Sequence, residues 1–395
     1  MRIPYRISGA LLLLTALAGC RKYEDLAPIE NAAYLRVYNS IQFELDPFDK
    51  GGDAVQPFLT FLFDPVMDEK ETPSGGAIVG DFLASRQSFS VSYPINANTA
   101  SDAGGVPYPS NYDYPGNAHV RTAPVINGFN LSAWAQVPSG KHRIVFMARP
   151  FSQTPFDQLS AATRGKRFKI IDTLVDLQPG EVYTMEAVCT DLIKKRYSLY
   201  MRQETFTKQQ FLSDKLYVSF YNFTAIHPAP TTNYADPYAV FFRDSVQLSY
   251  TYTIPLNPQP GPGELKDIYC TTIYNKWALS APFIALPMVD RAYFFDKQGY
   301  LGDYAPYPGG GGSLPYITFN TRTPGNSIPD GGFNCWGNPS TVNNTTNTFS
   351  GPGMPNLEQI ITTNGKVEIL PTVNIIEMIN NRAYLIQIQR AISAK

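Results

Sequence analysis

Residues 175–183 read Val-Asp-Leu-Gln-Pro-Gly-Glu-Val-Tyr, and this stretch decides the fold class. The residues before the turn form a strand-like run that ends at Leu177. Pro179 and Gly180 then mark a turn, because proline presets φ and glycine tolerates positive φ. A second apolar run starts at Val182. The stretch therefore predicts two β-strands joined by a tight turn.

The tyrosine that follows this turn indicates the kind of β fold. The run Leu-x-Pro-Gly-x-x-Tyr, ending at Tyr183, resembles the corner between strands E and F of fibronectin-like and immunoglobulin-like sandwiches. In those folds the tyrosine hydroxyl bonds back to the main chain. Upstream, residues 137–147 read as a turn that feeds an alternating strand. Strand periodicity with Pro/Gly turns at this spacing predicts an all-β sandwich.

The composition supports the same fold class. The 395 residues include 25 Tyr, 24 Phe, 33 Pro and 29 Gly, and only 16% are charged. Tyr and Phe favour strands, whereas Pro and Gly favour turns and loops. One short helix per half is predicted, at residues 155–163 and 208–214. The net charge of −1 argues against a nucleic-acid binder, because such a protein needs a basic face.

Internal echoes predict two tandem domains. Residues 34–39 and 217–222 share the pattern Tyr-x-x-x-Tyr-Asn. Residues 175–183 and 376–384 each combine a strand-like run, a turn pair and a tyrosine three residues later. Such self-similarity is typical of repeated units, although unrelated β domains could share these hairpins. The predicted boundaries are an immunoglobulin/fibronectin-like sandwich at 33–205, a linker at 206–214 and a second sandwich at 215–395.

Three short motifs of the first half occur in a fixed order. They are residues 33–40, the Val-Pro-Ser-Gly-Lys strand from residue 137, and the Leu-Gln-Pro-Gly-Glu-Val-Tyr-Thr strand from residue 177. Together they resemble the DUF4397-type β-sandwich domain of bacterial envelope lipoproteins, over residues 33–205 with long insertions. The second half departs from this pattern, since Asn380 and Asn381 replace the Pro-Gly pair. The resemblance implies a fold and an extracellular setting, and it carries over no catalytic residues.

The N-terminal residues predict a lipid anchor. Two arginines precede the apolar run at residues 11–14, which suits the core of a signal peptide and is too short to span a membrane. The run Leu-Ala-Gly-Cys that ends at Cys20 resembles a bacterial lipobox. Cleavage would remove the signal peptide, residues 1–19, and leave lipidated Cys20 at the start of a tether, residues 20–32. An ordinary secretory signal with an accidental cysteine is the alternative.

The first residues of the tether predict a destination. Lys22 followed by Glu24 and Asp25 resembles the export signal of Bacteroidetes lipoproteins, which directs them to the outer face of the outer membrane. A solvated charged tether is the alternative interpretation. We therefore expect an outer-membrane protein that is anchored by the lipid on Cys20 and faces the cell exterior.

Three further cysteines follow Cys20 in the chain. Cys189 lies in a strand-like run and is predicted to be a buried, inert thiol. Cys270 and Cys335 both fall in the second half, and an oxidising envelope permits a disulfide between them. Such a bond would contribute roughly 2–4 kcal/mol to stability.

The sequence lacks the local motifs of common catalytic sites. No Gly-x-Ser-x-Gly elbow, His-Glu-x-x-His pair or P-loop is present. None of the three histidines has a second His or Cys at metal-ligand spacing, and His142 is predicted to be a surface side chain. We expect a protein without catalytic activity or cofactor. A glycoside hydrolase with two carboxylates far apart in sequence is the enzymatic alternative.

Residues 46–53 form an acidic loop with a glycine pair. Its carboxylates belong to Asp46, Asp49 and Asp53. Hard oxygen ligands at short spacing suit Ca²⁺, although the run does not match the EF-hand pattern. A polar loop explains the same residues, so the calcium site is the secondary interpretation and no structural metal is expected.

Three loop regions are unusually rich in aromatic residues. Tyr and Trp offer flat faces and a polar tip, which suit sugar rings and protein partners. Packing of the loops over the sandwich is the alternative. The candidate binding residues are Tyr108, Tyr112, Tyr114, Tyr300, Tyr304, Tyr307 and Trp336.

Two tripeptides resemble an acceptor for O-linked glycans in Bacteroidetes. They are Asp-Thr-Leu around Thr173 and Asp-Ser-Val around Ser245. Both lie in strand-like runs, where the hydroxyl could instead be buried.

These observations together predict a function class. We expect a lipid-anchored, non-catalytic binding or accessory module whose partner is a glycan or another outer-membrane protein. A purely structural envelope lipoprotein is the alternative.

Overall fold

The computed structural model describes fourteen stretches of the chain. These are residues 26–41, 58–82, 89–90, 115–150, 152–191, 194, 196–223, 245–254, 264–287, 316–322, 331–335, 359–363, 366–379 and 382–390.

The described residues form an almost purely β structure, which confirms the predicted all-β fold class. Within these stretches, no helix has the length and apolar character needed to cross a membrane. The strands are β1 (Ala33–Asn39), β2 (Leu59–Met67), β3 (Pro73–Phe82), β4 (Phe89–Ser90), β5 (Ala135–Val137), β6 (Gly140–Ala148), β7 (Lys169–Leu177), β8 (Val182–Asp191), β9 (Arg196–Gln203), β10 (Lys215–Asn222), β11 (Ser245–Ile254), β12 (Glu264–Asn275), β13 (Ile284–Pro287), β14 (Tyr316–Arg322), β15 (Gly331–Cys335), β16 (Gln359–Thr363), β17 (Lys366–Leu370), β18 (Thr372–Ile379) and β19 (Arg382–Gln389).

Helical structure in the described residues is limited to single 3-10 turns, at Phe156–Gln158, Lys166–Phe168 and Phe206–Lys208. The helix predicted at 155–163 is therefore only one turn, and the helix predicted at 208–214 is wrong. Phe156 and Phe206 are buried. Each short turn thus inserts one aromatic side chain into a core, which requires no longer helix.

The first half, residues 33–205, is a sandwich of two sheets. Inner sheet 1 has the strand order β5-β1-β8-β9, and outer sheet 1 has the order β3-β2-β6-β7. Side chains alternate between the two faces of a strand, so Leu35 and Val37 of β1 point into the sandwich. They pack there with Phe61, Phe146 and Met185.

The described strands from β10 to β19, which make up the second half, repeat this arrangement. Inner sheet 2 has the order β13-β10-β18-β19-β4, and outer sheet 2 has the order β12-β11-β14-β15. Strands β16 and β17 form a separate hairpin. The inner and outer sheets meet where the rings of Phe220 and Tyr274 lie 5.3 Å apart.

Strand pairing shows which elements of the two halves correspond. Parallel pairing of β1 with β8 places Tyr34 opposite Val182, and parallel pairing of β10 with β18 places Tyr217 opposite Val373. Strand β18 is therefore the counterpart of β8. The proposed echo of residues 175–183 in residues 376–384 is wrong, because the second stretch is the β18–β19 hairpin, which corresponds to β8–β9.

The two inner sheets also pack against each other through a shared cluster of buried residues. Residues 206–214, predicted as a linker, contribute buried Phe206 and half-buried Phe211 to this cluster. The first half also supplies β4, which pairs with β19, and Asn130, whose amide donates to the Gln389 carbonyl at 3.0 Å. The halves are therefore joined by a common core.

The tyrosine corner predicted at residues 177–183 is confirmed. The main-chain amide of Gln178 donates a hydrogen bond to the Tyr183 hydroxyl at 3.0 Å. Gly180 has a φ of 77°, which favours glycine. In the second half an equivalent bond runs from the Leu212 amide to the Tyr217 hydroxyl at 2.9 Å. That bond spans the start of β10, the counterpart of β1, so the same device fixes a different corner.

Candidate functional site

Most of the residues predicted to carry function lie outside the described part of the chain. They remain predictions. This group comprises the lipidation residue Cys20, the aromatic candidates Tyr108, Tyr112, Tyr114, Tyr300, Tyr304, Tyr307 and Trp336, and the calcium candidates Asp46, Asp49 and Asp53.

The candidate glycosylation residue Thr173 lies on β7, an edge strand of outer sheet 1. Thr173 is half-buried, and the next residue, Leu174, is 75% exposed. Arg143 hydrogen-bonds to Asp172 and, with Lys169, lowers the pKa of that carboxyl to about 2. The acceptor motif is therefore on the surface, with its carboxylate held in ion pairs.

The second glycosylation candidate is Ser245, the first residue of β11. It is half-buried, and its hydroxyl donates to the Asn275 side-chain oxygen at 2.8 Å. Glycosylation there would require that bond to break.

The cysteines occupy separate places. Cys189 is buried, as predicted, and its thiol donates to the Asp191 carbonyl at 3.2 Å. Cys270 lies on β12 and Cys335 on β15, which are opposite edges of outer sheet 2. Three strand spacings of about 4.8 Å separate these edges, whereas the Cα atoms of a disulfide lie within about 7 Å. The sheet therefore does not bring the two candidate partners together.

His142 is buried, which corrects the prediction of a surface side chain. Its Nδ1 lies 2.7 Å from Asp64 Oδ2, and its ring lies 4.3 Å from the Phe63 ring. The other Asp64 oxygen accepts from the Arg143 amide at 3.0 Å. Asp64 has a φ of 46° in the middle of β2. This geometry ties β2 to β6.

The most distinctive polar arrangement lies between the two inner sheets. Arg202 of β9 contacts three carboxylates, and we call these four side chains the inter-sheet charge cluster. The Arg202 guanidinium lies 3.1 Å from Glu186 and 2.8 Å from Glu204. It also forms an ion pair with Glu377 of the second half. All four residues are 0–2% exposed.

Neighbouring side chains complete the inter-sheet charge cluster. The Ser40 hydroxyl donates to Glu186 at 3.0 Å, and the Thr184 hydroxyl donates to Glu204 at 2.6 Å. The Tyr221 ring lies against the guanidinium carbon of Arg202, 4.6 Å from it. These contacts supply hydrogen bonds that a buried carboxylate needs and a cation–π contact to the guanidinium.

The electrostatics of the cluster follow from its burial. Burial acts to lower the pKa of Arg202, but Glu204, Glu377 and Glu186 outweigh it and raise the pKa well above the usual range. Burial also raises the pKa of Tyr221 to about 12. Arg202 is therefore charged at every physiological pH, and Tyr221 is neutral.

A second arginine lies in the same interface. The guanidinium carbon of Arg36 lies 4.8 Å from both the Tyr38 ring and the Trp134 ring. Arg36 and Trp134 are fully buried. Cation–π contacts of desolvated groups are worth about 2 kcal/mol, so this stack is an energetic part of the inter-sheet core.

Local sequence patterns gave only one signal for this cluster. Arg202 and Glu204 stand two residues apart, which places them on the same face of an extended chain. Val182 pairs with Tyr34, and Val373 occupies the equivalent position opposite Tyr217. Glu186 and Glu377 each stand four residues after these valines, so they too occupy equivalent positions in the two halves. That equivalence becomes visible only after the strands have been matched by their pairing.

The cluster fits a structural role better than a chemical one. Its carboxylates are sealed between two sheets, so a substrate has no access to them. Within the described stretches, no group of three or more His, Cys, Asp or Glu side chains could hold a metal ion. The arrangement can fix the register of one half on the other, as buried polar groups do in some proteins.

Comparisons with known proteins add little. No family model matches the chain, and no curated protein matches it. A solved structure from Bacteroides uniformis, of a protein assigned provisionally to cell adhesion, aligns with 91% of this chain and 99% of its own. The identity is 8% and the TM-score is 0.13. A likeness at this level carries no argument about fold or function.

Proposed function

We propose that the protein is a lipid-anchored, non-catalytic binding module of the bacterial outer membrane, with a DUF4397-like first half. The lipid on Cys20 anchors it, and loops that carry aromatic residues contact a glycan or an outer-membrane protein. The observation that carries the proposal is the shared core of the two halves, together with the lipobox that precedes it. A common core lets one lipid hold both halves at the membrane.

The joined halves support a scaffold role. Arg202 and Glu377 connect the two inner sheets through a buried ion pair, and β4 of the first half extends inner sheet 2. An interface that is both apolar and ion-paired resists separation of the halves. The described strands of the two halves are thereby held in a fixed relation, which suits a module that presents a binding surface.

The anchor is tested by Cys20→Ala. We expect the wild-type protein to incorporate radiolabelled palmitate and to remain with outer membranes after washing in high salt. The variant should incorporate no label and should lose membrane attachment, because it lacks the acyl chains on Cys20 that would be buried in the membrane. Leu174→Ala, which truncates an exposed side chain, is a suitable control for expression. Equal membrane retention of wild type and Cys20→Ala would contradict the anchor.

Ligand binding is tested on residues 21–395 without the lipid, using a glycan array and crosslinking to purified outer-membrane proteins. We expect the protein to bind one of the two ligand classes, glycans or outer-membrane proteins. At least one of Tyr108→Ala, Tyr304→Ala and Trp336→Ala should weaken this binding at least about tenfold, which corresponds to about 1.4 kcal/mol. Leu174→Ala, an exposed apolar residue remote in sequence from these loops, is the control. Absence of binding in both assays would reject the binding module and favour a purely structural lipoprotein.

A further inference from the structure

The chain is fixed on the first half well before β1 begins. The Arg121 guanidinium donates to the Leu26 carbonyl. The Ile29 amide donates to the Gln136 side-chain oxygen at 3.3 Å. The Gly180 amide donates to the Ala32 carbonyl at 2.8 Å. Residues from Leu26 onward therefore belong to the folded body, so residues 26–32 of the predicted tether of residues 20–32 are part of it.

These contacts lie at one end of the first sandwich, which we call the tether end. There Ala33 pairs with Val137 and Gly140 pairs with Leu177, so the β5–β6 and β7–β8 turns lie together. The opposite end, which we call the far end, contains the β8–β9 connection, where Asp191 pairs with Arg196.

Chain length decides which end can approach the membrane. From Cys20 to Leu26 there are six Cα–Cα steps, which span about 21 Å when fully extended. Strand β8 has ten residues, and at about 3.3 Å per residue it carries the chain about 30 Å from the tether end to the far end. A lipid attached to Cys20 therefore holds the tether end within about 21 Å of the membrane surface, whereas it does not hold the far end there.

We infer that the tether end of the first sandwich faces the lipid surface and that the far end points away from it. This inference rests on the proposed lipid anchor. Charge does not drive the orientation, because the exposed charges near this end are of both signs and Lys208 forms an ion pair with Glu181 at 2.5 Å. The short covalent connection and the fixed residues Leu26 and Ile29 impose it.

The start of the second half lies on the same side of the molecule as the tether end. The Asn127 side chain of the first half donates to the Thr207 carbonyl at 2.7 Å. At the end of β19, Arg390 donates to the Lys215 and Leu212 carbonyls, the first at 2.6 Å and the second at 2.9 Å. The start of β10 therefore lies on the same side as the first-half turns, and it shares their orientation to the membrane.

The test uses the full lipidated protein with a fluorescent amino acid at position 178 or at position 194. Both positions are exposed, Gln178 at the tether end and Lys194 at the far end. The protein is reconstituted in vesicles of phosphatidylethanolamine and phosphatidylglycerol that contain a lipid with a nitroxide headgroup. With the two positions about 30 Å apart along the strands, we expect quenching at 178 to exceed quenching at 194 at least about threefold.

A matched control lengthens the chain between Cys20 and Leu26. Ten Gly/Ser residues inserted after Asp25 add an r.m.s. reach of about 17 Å and should remove most of the difference between the two positions. If the wild-type protein floats with the vesicles but both positions are quenched equally, or 194 is quenched more, the orientation is rejected while the anchor stands. If it does not float, the proposed anchor and this inference are both rejected.

Discussion

Replacing Arg202 with methionine should destabilise the protein by about 3–5 kcal/mol, because the change leaves buried carboxylates without their counter-charge. Glu186, Glu204 and Glu377 all contact the Arg202 guanidinium and are almost fully buried. Methionine has a similar volume, so the loss is electrostatic rather than steric. The free energy of unfolding of residues 21–395 in urea measures it.

Two further measurements separate this electrostatic effect from simple damage to the core. The deficit of Arg202→Met should shrink as the pH falls towards about 5, because protonation removes the uncompensated charge from buried carboxyls. Adding Glu186→Gln and Glu377→Gln should restore part of the lost stability at neutral pH, since neutral amides do not require a counter-charge.

The control for this prediction lies on the same strand. Arg196 is also on β9, but it is exposed. We expect Arg196→Met to change stability by less than about 0.5 kcal/mol, as surface substitutions usually do. An Arg202→Met variant no less stable than Arg196→Met would show that the inter-sheet charge cluster does not hold the two halves together.

The second large effect is expected at Trp134. This side chain is fully buried between the halves, 6.0 Å from the Phe206 ring, and the Arg36 guanidinium lies over it. Trp134→Ala should cost about 3–5 kcal/mol, because truncating a buried aromatic leaves a cavity. The loss of its cation–π contact adds to this cost. Urea denaturation followed by far-UV circular dichroism measures the change.

Trp277→Ala is the matched control for the second prediction. Trp277 is only half-buried, and it packs against the same cluster of buried residues from the second half. Because a partly exposed side chain leaves a smaller cavity, we expect its truncation to cost less than that of Trp134. Equal losses for the two tryptophans would mean that burial at position 134 is not what stabilises the interface.

The ends of the described strands bear on which candidate loops can reach a partner. Phe82 closes β3 at the far end of the first sandwich, where it pairs with Leu59 at the start of β2. The chain that leaves Phe82 leads to Tyr108, Tyr112 and Tyr114. Under the proposed orientation this departure point is remote from the membrane, so Tyr108→Ala is the first variant to examine for loss of binding.

Several local features could be predicted from the sequence because neighbouring residues determine them. The Pro-Gly turn before Tyr183 and the hydroxyl bond to Gln178 form within six residues, and the structure contains both. The match of residues 34–39 to residues 217–222 also holds, since these runs are β1 and β10 in equivalent sheets. Burial of Cys189 followed from its apolar strand.

Other expectations failed where the partner was distant in the chain. His142 reads as a surface residue beside Lys141 and Arg143, yet it is buried and lies 2.7 Å from Asp64 on the neighbouring strand β2. The sequence pair Asn380-Asn381 resembles the pair Pro179-Gly180. However, the strand before it, β18, pairs with β10 and is therefore the counterpart of β8 rather than of β7. Local similarity could not reveal either relation.

The β class, the repeat and the tyrosine corner are predictable from the sequence, because periodicity and turn chemistry act over a few residues. Three features depend on tertiary contacts: the core that the halves share, the ion pair of Arg202 with Glu377 across it, and the attachment of the chain from Leu26 onward. These contacts join residues far apart in the chain, and their stability comes from burial. No local pattern records burial between two sheets.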